Sequence, residues 1–380
     1  MKICFFDFIT LAGGATKGSV HLLERLKNKN VEVHAINVYN NCHEYLEDLR
    51  QAKVSYTVLI KSNVKNTIGF KNSLVRRILE IFRQLPVIML ILWNLFISLY
   101  KLKPTHVMVN NRKSLIFVFI FKFIFGFKII YYYRIEASKK YLSKHFVFLL
   151  NHVVDHLFCH SKNAIQNMKK FGIDKEVIYL PNCIKMDQKI KVTEEKDSEV
   201  FRIFLNAGRI VREKGYHTAV YALNELTQKK YNVILQLPGS ITDHQYYNEL
   251  QDYIYKNKLE SRVIFCGWIN NVQQEVANSD CMILPSYSEG FPRSIIEAML
   301  LKVPICATPV GGIPEAIINN QTGFLFNIDD YISMANKIEL LITQPETRKN
   351  IINNAYLFAS QHFDETLNTQ IFINNVNLND

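Results

Sequence analysis

Two short apolar runs bracket a stretch of turn and helix chemistry near residue 290. Cys281-Met282-Ile283-Leu284 and Val303-Pro304-Ile305-Cys306-Ala307 are each too short for a helix and read as buried strands. Between them, Pro285 to Phe291 is turn-forming. Pro292 suits the first turn of a helix, where its missing N–H costs nothing, and Ser294 to Leu301 continues that helix. Strand, turn, helix and strand in this order point to a parallel α/β layer. Glu289 then lies on the loop feeding the helix, and Glu297 lies more than one turn inside it. Free N–H groups at a helix start attract anions. A carboxylate before that start and another beyond it could hold the hydroxyls of a ligand whose phosphates cap the helix, which describes a sugar nucleotide. Spacing alone also fits a loop carboxylate and an exposed helix residue.

Context favours the ligand. Glu289-Gly290-Phe291-Pro292-Arg293-Ser294-Ile295-Ile296-Glu297-Ala298 is followed by the Val303–Ala307 strand and by Gly311-Gly312-Ile313-Pro314-Glu315. This resembles the retaining glycosyltransferases of family 4, among the group 1 glycosyltransferases, whose pattern is E-G-F-(G/P)-x-x-x-x-E-A, then G-x-P-V-(V/I)-A, then G-G-x-x-E. Lys302 stands where a glycine is usual. The resemblance implies the α/β GT-B fold, two doubly wound Rossmann-like domains facing a central cleft. It also implies donor contacts from Gly290, Phe291, Pro292, Ser294 and Glu297, with Glu289 in the catalytic set.

Upstream, Phe201 to Asn206 reads as a strand entering Ala207-Gly208-Arg209-Ile210-Val211-Arg212-Glu213-Lys214-Gly215, and then a helix with Ala219, Leu223 and Leu226 on one face. This is similar to the family's G-R-x-x-x-x-K-G segment, in which the Arg209 and Lys214 positions grip the donor diphosphate. A departing nucleoside diphosphate gathers negative charge, and fixed cations stabilise it. Arginine offers a fork of donors and lysine a point charge. At the N-terminus, a strand over Lys2–Ile9 leads into Gly13-Gly14 and a helix, then a strand over Val31–Ile36, the order of a doubly wound half. Gly13-Gly14 resembles the family loop that approaches donor phosphate and acceptor. Asp155-His156-Leu157-Phe158-Cys159-His160-Ser161 and Pro181-Asn182-Cys183-Ile184 match D-x-(V/I)-x-x-x-S and P-N-G-(I/V), with Cys183 replacing the glycine.

One departure bears on catalysis. Many family members carry a histidine near the end of a first-domain strand. Here Tyr132 takes that place in Tyr131-Tyr132-Tyr133-Arg134-Ile135-Glu136. Arg134 and Glu136 become candidates for acceptor-side or phosphate-side contacts, with a structural ion pair as the alternative. No catalytic histidine is assigned. The family's chemistry does not need one, because the leaving phosphate oxygen can accept the acceptor's proton.

The 380 residues suggest two domains. Residues 1–190 are expected to form the acceptor domain, joined by a C-terminal helix at about 360–380, and residues 200–360 the nucleotide-sugar domain. The charged stretch from Lys191 to Glu199 reads as a linker. The seven cysteines include no Cys-x-x-Cys pair, which argues for reduced thiols. No signal peptide precedes the first strand, so a cytoplasmic location is expected. No Asp-x-Asp motif appears; no metal and no cofactor are expected, the nucleotide sugar being a substrate.

Residues 1–190 hold 29 Lys and Arg against 12 Asp and Glu, net +17; the remainder holds 16 against 22, net −6. A basic first half points to an anionic partner. Nucleic acid lacks a motif. A membrane surface fits better: Arg76, Arg77 and Arg83 precede the apolar run Leu85–Tyr100, and a second run covers Leu115–Phe125, interrupted by Lys122. Both runs read either as core helices or as a basic apolar rim on anionic lipid. The sequence therefore predicts a peripheral enzyme at the inner face of the cytoplasmic membrane. It would move a sugar from a UDP- or GDP-sugar, with retention, to a lipid-linked glycan of a bacterial surface polysaccharide. The alternatives are an inactive docking partner on the same fold and a sugar-nucleotide epimerase.

Overall fold

The computed structural model describes residues 1–11, 13–61, 74–184, 186, 190 and 199–377, with side chains in the helix beginning at Leu74 described from Gln84 onward. The expected linker, apart from Glu199, and the side chains of Arg76, Arg77 and Arg83 lie outside the described residues. The chain divides into two compact units. One comprises Met1–His160, Ile165–Leu180 and Thr369–Asp380; the other comprises Ser161–Ala164 and Pro181–Asn368.

The first unit alternates strands and helices: β1 (Lys2–Asp7), α1 (Gly14–Asn28), β2 (Glu32–Tyr39), α2 (His43–Gln51), β3 (Ser55–Ile60) and α3 (Leu74–Leu102). It continues through β4 (His106–Val109), α4 (Arg112–Phe125), β5 (Lys128–Tyr133), α5 (Lys144–His152), β6 (His156–Cys159), α6 (Lys162–Lys170) and β7 (Val177–Tyr179). The seven strands form one parallel sheet in the order β3-β2-β1-β4-β5-β6-β7. The order reverses between β1 and β4, which defines the carboxyl-end crevice of a doubly wound sheet. Covered on both faces, the strands are nearly all apolar; β4 and β6 are buried along their whole length. Ile3, Phe5, Leu23, Leu26, Ile130 and Phe158 centre one core, which Phe372 and Val376 complete.

The second unit repeats the plan with β8 (Phe201–Leu205), β9 (Arg209–Ile210), a 3₁₀ turn (Arg212–Lys214), α7 (Tyr216–Gln228), β10 (Val233–Pro238), β11 (Ser240–Ile241) and α8 (His244–Lys256). Then come β12 (Val263–Gly267), α9 (Val272–Asn278), β13 (Cys281–Leu284), α10 (Arg293–Leu300), β14 (Ile305–Ala307), α11 (Ile313–Ala316) and β15 (Phe324–Leu325). Helices α12 (Tyr331–Thr343) and α13 (Pro345–His362) end the series, and α14 (Glu365–Asn377) follows, its residues from Thr369 on belonging to the first unit. The sheet order is β12-β10-β8-β13-β14-β15, with β9 and β11 as a separate pair. Successive side chains of a strand face opposite sides. Ile203 and Leu205 accordingly join one core with Val220, Leu235 and Ile283, while Phe204 joins the other with Met282, Ile295, Ile296 and Met299. Here the order reverses between β8 and β13.

Candidate functional site

The switch point of the second unit collects the charged residues of both motifs. β8 ends at Leu205, and Asn206 still donates its N–H to Ile283 O of β13 at 3.2 Å. The chain then passes Gly208 into β9, where Arg209 is fixed by pairing with Ser240 of β11. The 3₁₀ turn carries Lys214 and closes on Gly215, whose φ of +68° is left-handed. A Cβ there would stand 2.1 Å from Pro285 O, so only glycine lets this turn lie against the β13 loop. Across the switch point, Lys214 Nζ lies 2.6 Å from Glu289 Oε1, with both side chains largely buried. The backbone repeats the link two residues earlier: Tyr287 N–H donates to Glu213 O at 2.9 Å. Arg209 is exposed, and its side chain has no partner among the described residues.

The loop bearing Glu289 is held from below. Gly311, at φ +57°, packs so closely that an added Cβ would stand 1.9 Å from Glu289 O, and Gly312 N–H donates to Gly290 O at 2.5 Å. Phe291 is buried against Phe363 at 5.5 Å between ring centroids, and its carbonyl accepts from Asn182 Nδ2 at 2.8 Å. Pro292 is the N-cap of α10 with Ser294 in the first turn and Glu297 in the second. Glu297 Oε1 accepts a long hydrogen bond, 3.4 Å, from Gln273 Nε2. Glu289, Gly290, Phe291, Pro292, Ser294, Glu297, Arg209 and Lys214 are thus gathered on two loops and one helix start of a single unit. Glu315, the acid of the Gly-Gly turn, is engaged elsewhere in that unit: its carboxylate accepts from Ser161 Oγ at 2.6 Å and from the Lys162 and Asn163 N–H groups at 2.9 Å each.

Two further groups were not singled out by the sequence motifs. Trp268 follows β12 and is 57% exposed; a Cβ added to Gly208 would lie 3.7 Å from its ring. An open indole therefore flanks the Gly208–Arg209 strand end, and its place just past the carboxyl end of β12, a strand of the same parallel sheet, is the signal that marks it. The second group is a polar cluster. His217 Nε2 lies 3.0 Å from Asp329 Oδ1 and 3.1 Å from Tyr287 Oη, its Nδ1 lies 2.6 Å from Tyr246 Oη, and Tyr287 Oη donates to Asp329 Oδ1 at 2.5 Å. Burial and the bond to Asp329 push the Tyr287 hydroxyl up to about 12. The cluster fixes the ring of Tyr287, two residues before Glu289.

In the first unit, Gly13 caps α1 in extended backbone and Gly14 opens the helix. Thr16 Oγ1 accepts the Gly13 N–H at 2.8 Å, and the space a Gly13 Cβ would occupy is open. Arg134 Nη1 reaches the same helix start, donating to Ala15 O at 2.7 Å and to Ser19 Oγ at 3.1 Å. Its guanidinium lies 4.0 Å from the centre of the Tyr132 ring. Tyr132 itself is buried, and its hydroxyl donates to Leu180 O at 2.7 Å. The tyrosine at the histidine position is therefore a platform under Arg134, and Arg134 steadies the glycine loop. Glu136 contributes its carbonyl as acceptor for Tyr133 Oη at 3.1 Å. His160 is buried with Nδ1 3.0 Å from Tyr133 O, and burial pushes it down to about 4, so it is neutral at pH 7. At the crevice end of β1, Asp7 is buried under Asn111 and Ser114, and burial pushes its carboxyl up to about 6.

Comparison with known proteins follows the same boundaries. Residues 187–358 match the family model of glycosyl transferases group 1. The capsular polysaccharide biosynthesis glycosyltransferase CapM of Staphylococcus aureus is 29% identical over 174 residues, 44% of this chain and 45% of that protein. The Campylobacter jejuni α-1,4-N-acetyl-D-galactosaminyltransferase that acts on a diNAcBac-PP-undecaprenol-linked glycan is 26% identical over 210 residues, 53% of this chain and 56% of that protein. The chain spans about half the length of these curated relatives. Among solved structures, Anabaena HepE in complex with UDP and glucose superposes with a TM-score of 0.79 at 22% identity, covering 99% of each chain. That likeness concerns the fold. Both units are thus parallel and Rossmann-like, of the GT-B kind, and the family match covers most of the unit that bears the motifs.

Proposed function

We propose that the protein is a retaining glycosyltransferase that moves a sugar from a nucleoside-diphosphate donor, UDP- or GDP-linked, to a lipid-linked glycan at the inner face of the cytoplasmic membrane, in the assembly of a bacterial surface polysaccharide. The observation that carries this reading is the convergence of Arg209, Lys214 and Glu289 at the carboxyl ends of β8 and β13. The CapM relative supports surface-polysaccharide assembly, the Campylobacter relative supports a lipid-linked acceptor, and the HepE complexes support a uridine nucleotide.

In this reading the diphosphate faces Arg209, Lys214 and the start of α10, where cations and N–H groups meet the charge that grows as the glycosidic oxygen departs. Glu297 and Glu289 accept hydrogen bonds from donor hydroxyls and hold the sugar. Trp268 offers its open face to the base. The acceptor oxygen bonds to the anomeric carbon while the bond from that carbon to the diphosphate oxygen breaks. The acceptor's proton passes to the leaving phosphate oxygen on the same face, so the configuration is kept and no side-chain base is consumed. Two fixed cations take the charge-stabilising role, and the reaction is metal-independent.

The test is a panel of UDP-, GDP-, ADP- and dTDP-sugars assayed for binding and for slow donor hydrolysis, with the anomer released read by NMR. One UDP- or GDP-sugar binding best and yielding the retained anomer is the expected result. Inverted product, or no nucleotide bound by the wild type while Lys214→Ala behaves identically, overturns the reading.

A further inference from the structure

Helix α3 is apolar on opposite faces. Ile91, Leu95 and Leu99 recur every four residues and are completely buried, and Asn94 Nδ2 donates to Leu59 O of β3 at 2.8 Å, which fastens this side to the sheet. The other side carries Leu85, Met89, Trp93 and Tyr100, and it is exposed; Trp93 is 63% open. A surface helix of a water-soluble domain turns polar residues outward. Helix α4 breaks the rule in the same way: Leu115, Val118 and Phe121 are buried, whereas Ile116, Ile120, Phe123 and Ile124 are exposed, Phe123 by 75%. The two helices are joined by rings, Phe96 lying 5.4 Å from Phe125 and 6.3 Å from Phe121, and Trp93 and Tyr100 stack on either side of Phe96. The open side chains of both helices thus flank one aromatic seam. Scattered exposed apolar residues are ordinary, but an adjoining set of this kind marks an interaction surface.

Charge indicates the partner. Residues 81–135 contain eight Lys and Arg and not one Asp or Glu. Lys101 and Lys103 stand exposed where α3 ends, and Arg112 is exposed where α4 begins. Lys122 of α4 is paired with Asp155, but an apolar face flanked by Lys101, Lys103 and Arg112, with Trp and Tyr among its exposed residues, has the composition of an element lying in the headgroup layer of an anionic bilayer. By length and composition Gln84–Leu102, 19 residues rather than the 16 of the apolar run, could cross a membrane. The buried stripe and the Asn94 tether tie one side of it to the sheet and favour a side-on position.

We infer that the outer faces of α3 and α4 insert together, side-on, into the interfacial layer of an anionic membrane. This deepens the membrane part of the proposed function. It is tested separately, because vesicle binding requires neither donor nor acceptor.

Trp93 and Trp268 are the chain's two tryptophans, so Trp268→Phe leaves Trp93 as the reporter. The full chain is mixed with vesicles of phosphatidylglycerol and phosphatidylcholine, and with phosphatidylcholine alone. With anionic vesicles, Trp93 emission should shift to the blue and be quenched by lipids brominated high on the acyl chain. High salt should weaken binding about tenfold without abolishing it. Ile120→Asp with Phe123→Asp, both exposed, should lower the partition coefficient at least tenfold while leaving thermal unfolding unchanged. Absence of binding at low salt overturns the inference, as does binding with unchanged Trp93 emission and complete release by salt. A concentration-dependent dimer that these substitutions dissolve, with vesicle binding unaffected, overturns it in favour of a second copy as the partner.

Discussion

Lys214 Nζ and Glu289 Oε1 meet at 2.6 Å across the switch point of the second unit, so the lysine that the proposed donor site needs for phosphate is already engaged by the carboxylate that site needs for sugar. A diphosphate arriving here competes with Glu289 for the ammonium group. Two opposite outcomes are expected. Lys214→Ala should weaken binding of the free nucleoside diphosphate, whereas Glu289→Gln should leave it unchanged or tighter, because the lysine is released. Both should lower turnover, by about tenfold to a hundredfold, the scale of one lost hydrogen bond to a charged group at about 1.5–3 kcal/mol. Calorimetric titration of the nucleotide beside steady-state rates separates the effects. Weaker nucleotide binding by Glu289→Gln contradicts the competition.

Among the described residues Arg209 has no such partner. Exposed at the end of its strand pair, it is free to meet charge that appears only as the donor bond breaks. Arg209→Ala should therefore reduce kcat more than it raises KM, by about a hundredfold to a thousandfold if it supplies the ~3–4 kcal/mol typical of such electrostatic stabilisation. EDTA should leave the wild-type rate unchanged. Activity abolished by chelator and restored by manganese counts against paired cations as sufficient.

Two glycines of the same chain should respond in opposite ways. Gly311 sits in left-handed backbone with Glu289 O where a methyl would go, so Gly311→Ala must displace the Glu289 loop. Left-handed strain alone costs about 1–2 kcal/mol, and the clash adds to it. Activity should fall further than the loss of stability explains. Gly13 is extended and faces open space, so Gly13→Ala should leave the unfolding midpoint unchanged and alter only ligand affinity. Denaturant melts of the two variants next to their kinetics give the comparison.

The loops that carry Lys214 and Glu289 were readable from sequence because left-handed backbone and a helix start leave marks in residue type. Gly215 and Gly311 both take positive φ, and Pro292 sets the start of α10. Lys302 shows that a motif can lose its glycine and keep its turn: the lysine takes φ +57°. What was not readable is long-range. The Tyr132 hydroxyl is spent on Leu180, 48 residues away, and Asp329 reaches His217 across 112 positions. Burial of those groups depends on strand order, which local chemistry does not encode. The apolar runs of α3 and α4 were visible as composition, but only the fold separates their buried stripes from their exposed ones.

Asp7 supplies a test of the first unit that is independent of activity. Its carboxyl ends β1, is almost wholly buried, and accepts Phe8 N–H at 2.6 Å, Ser114 Oγ at 3.3 Å and Asn111 Nδ2. Burial outweighs these donors and pushes it from 3.8 up to about 6. A carboxyl raised on folding penalises the folded state once it ionises. Below about pH 4 both states hold the proton and there is no penalty. Between about 4 and 6 the unfolded chain releases its proton first, and stability falls. Above about 6 the penalty is complete, about 3 kcal/mol on the scale of 1.36 kcal/mol per pH unit. Asparagine keeps one acceptor oxygen for the same donors and carries no charge. Asp7→Asn should therefore match the wild type near pH 4 and exceed it progressively toward pH 7, by an amount of that order. Other buried groups, such as His160, titrate alike in both proteins and cancel in the difference. Urea unfolding of the pair at pH 4, 5, 6 and 7.5 measures it. A difference independent of pH shows that Asp7 titrates alike in the folded and unfolded chain; one favouring the wild type at pH 7 shows that it is stabilised as an anion, its hydrogen-bond donors outweighing its burial.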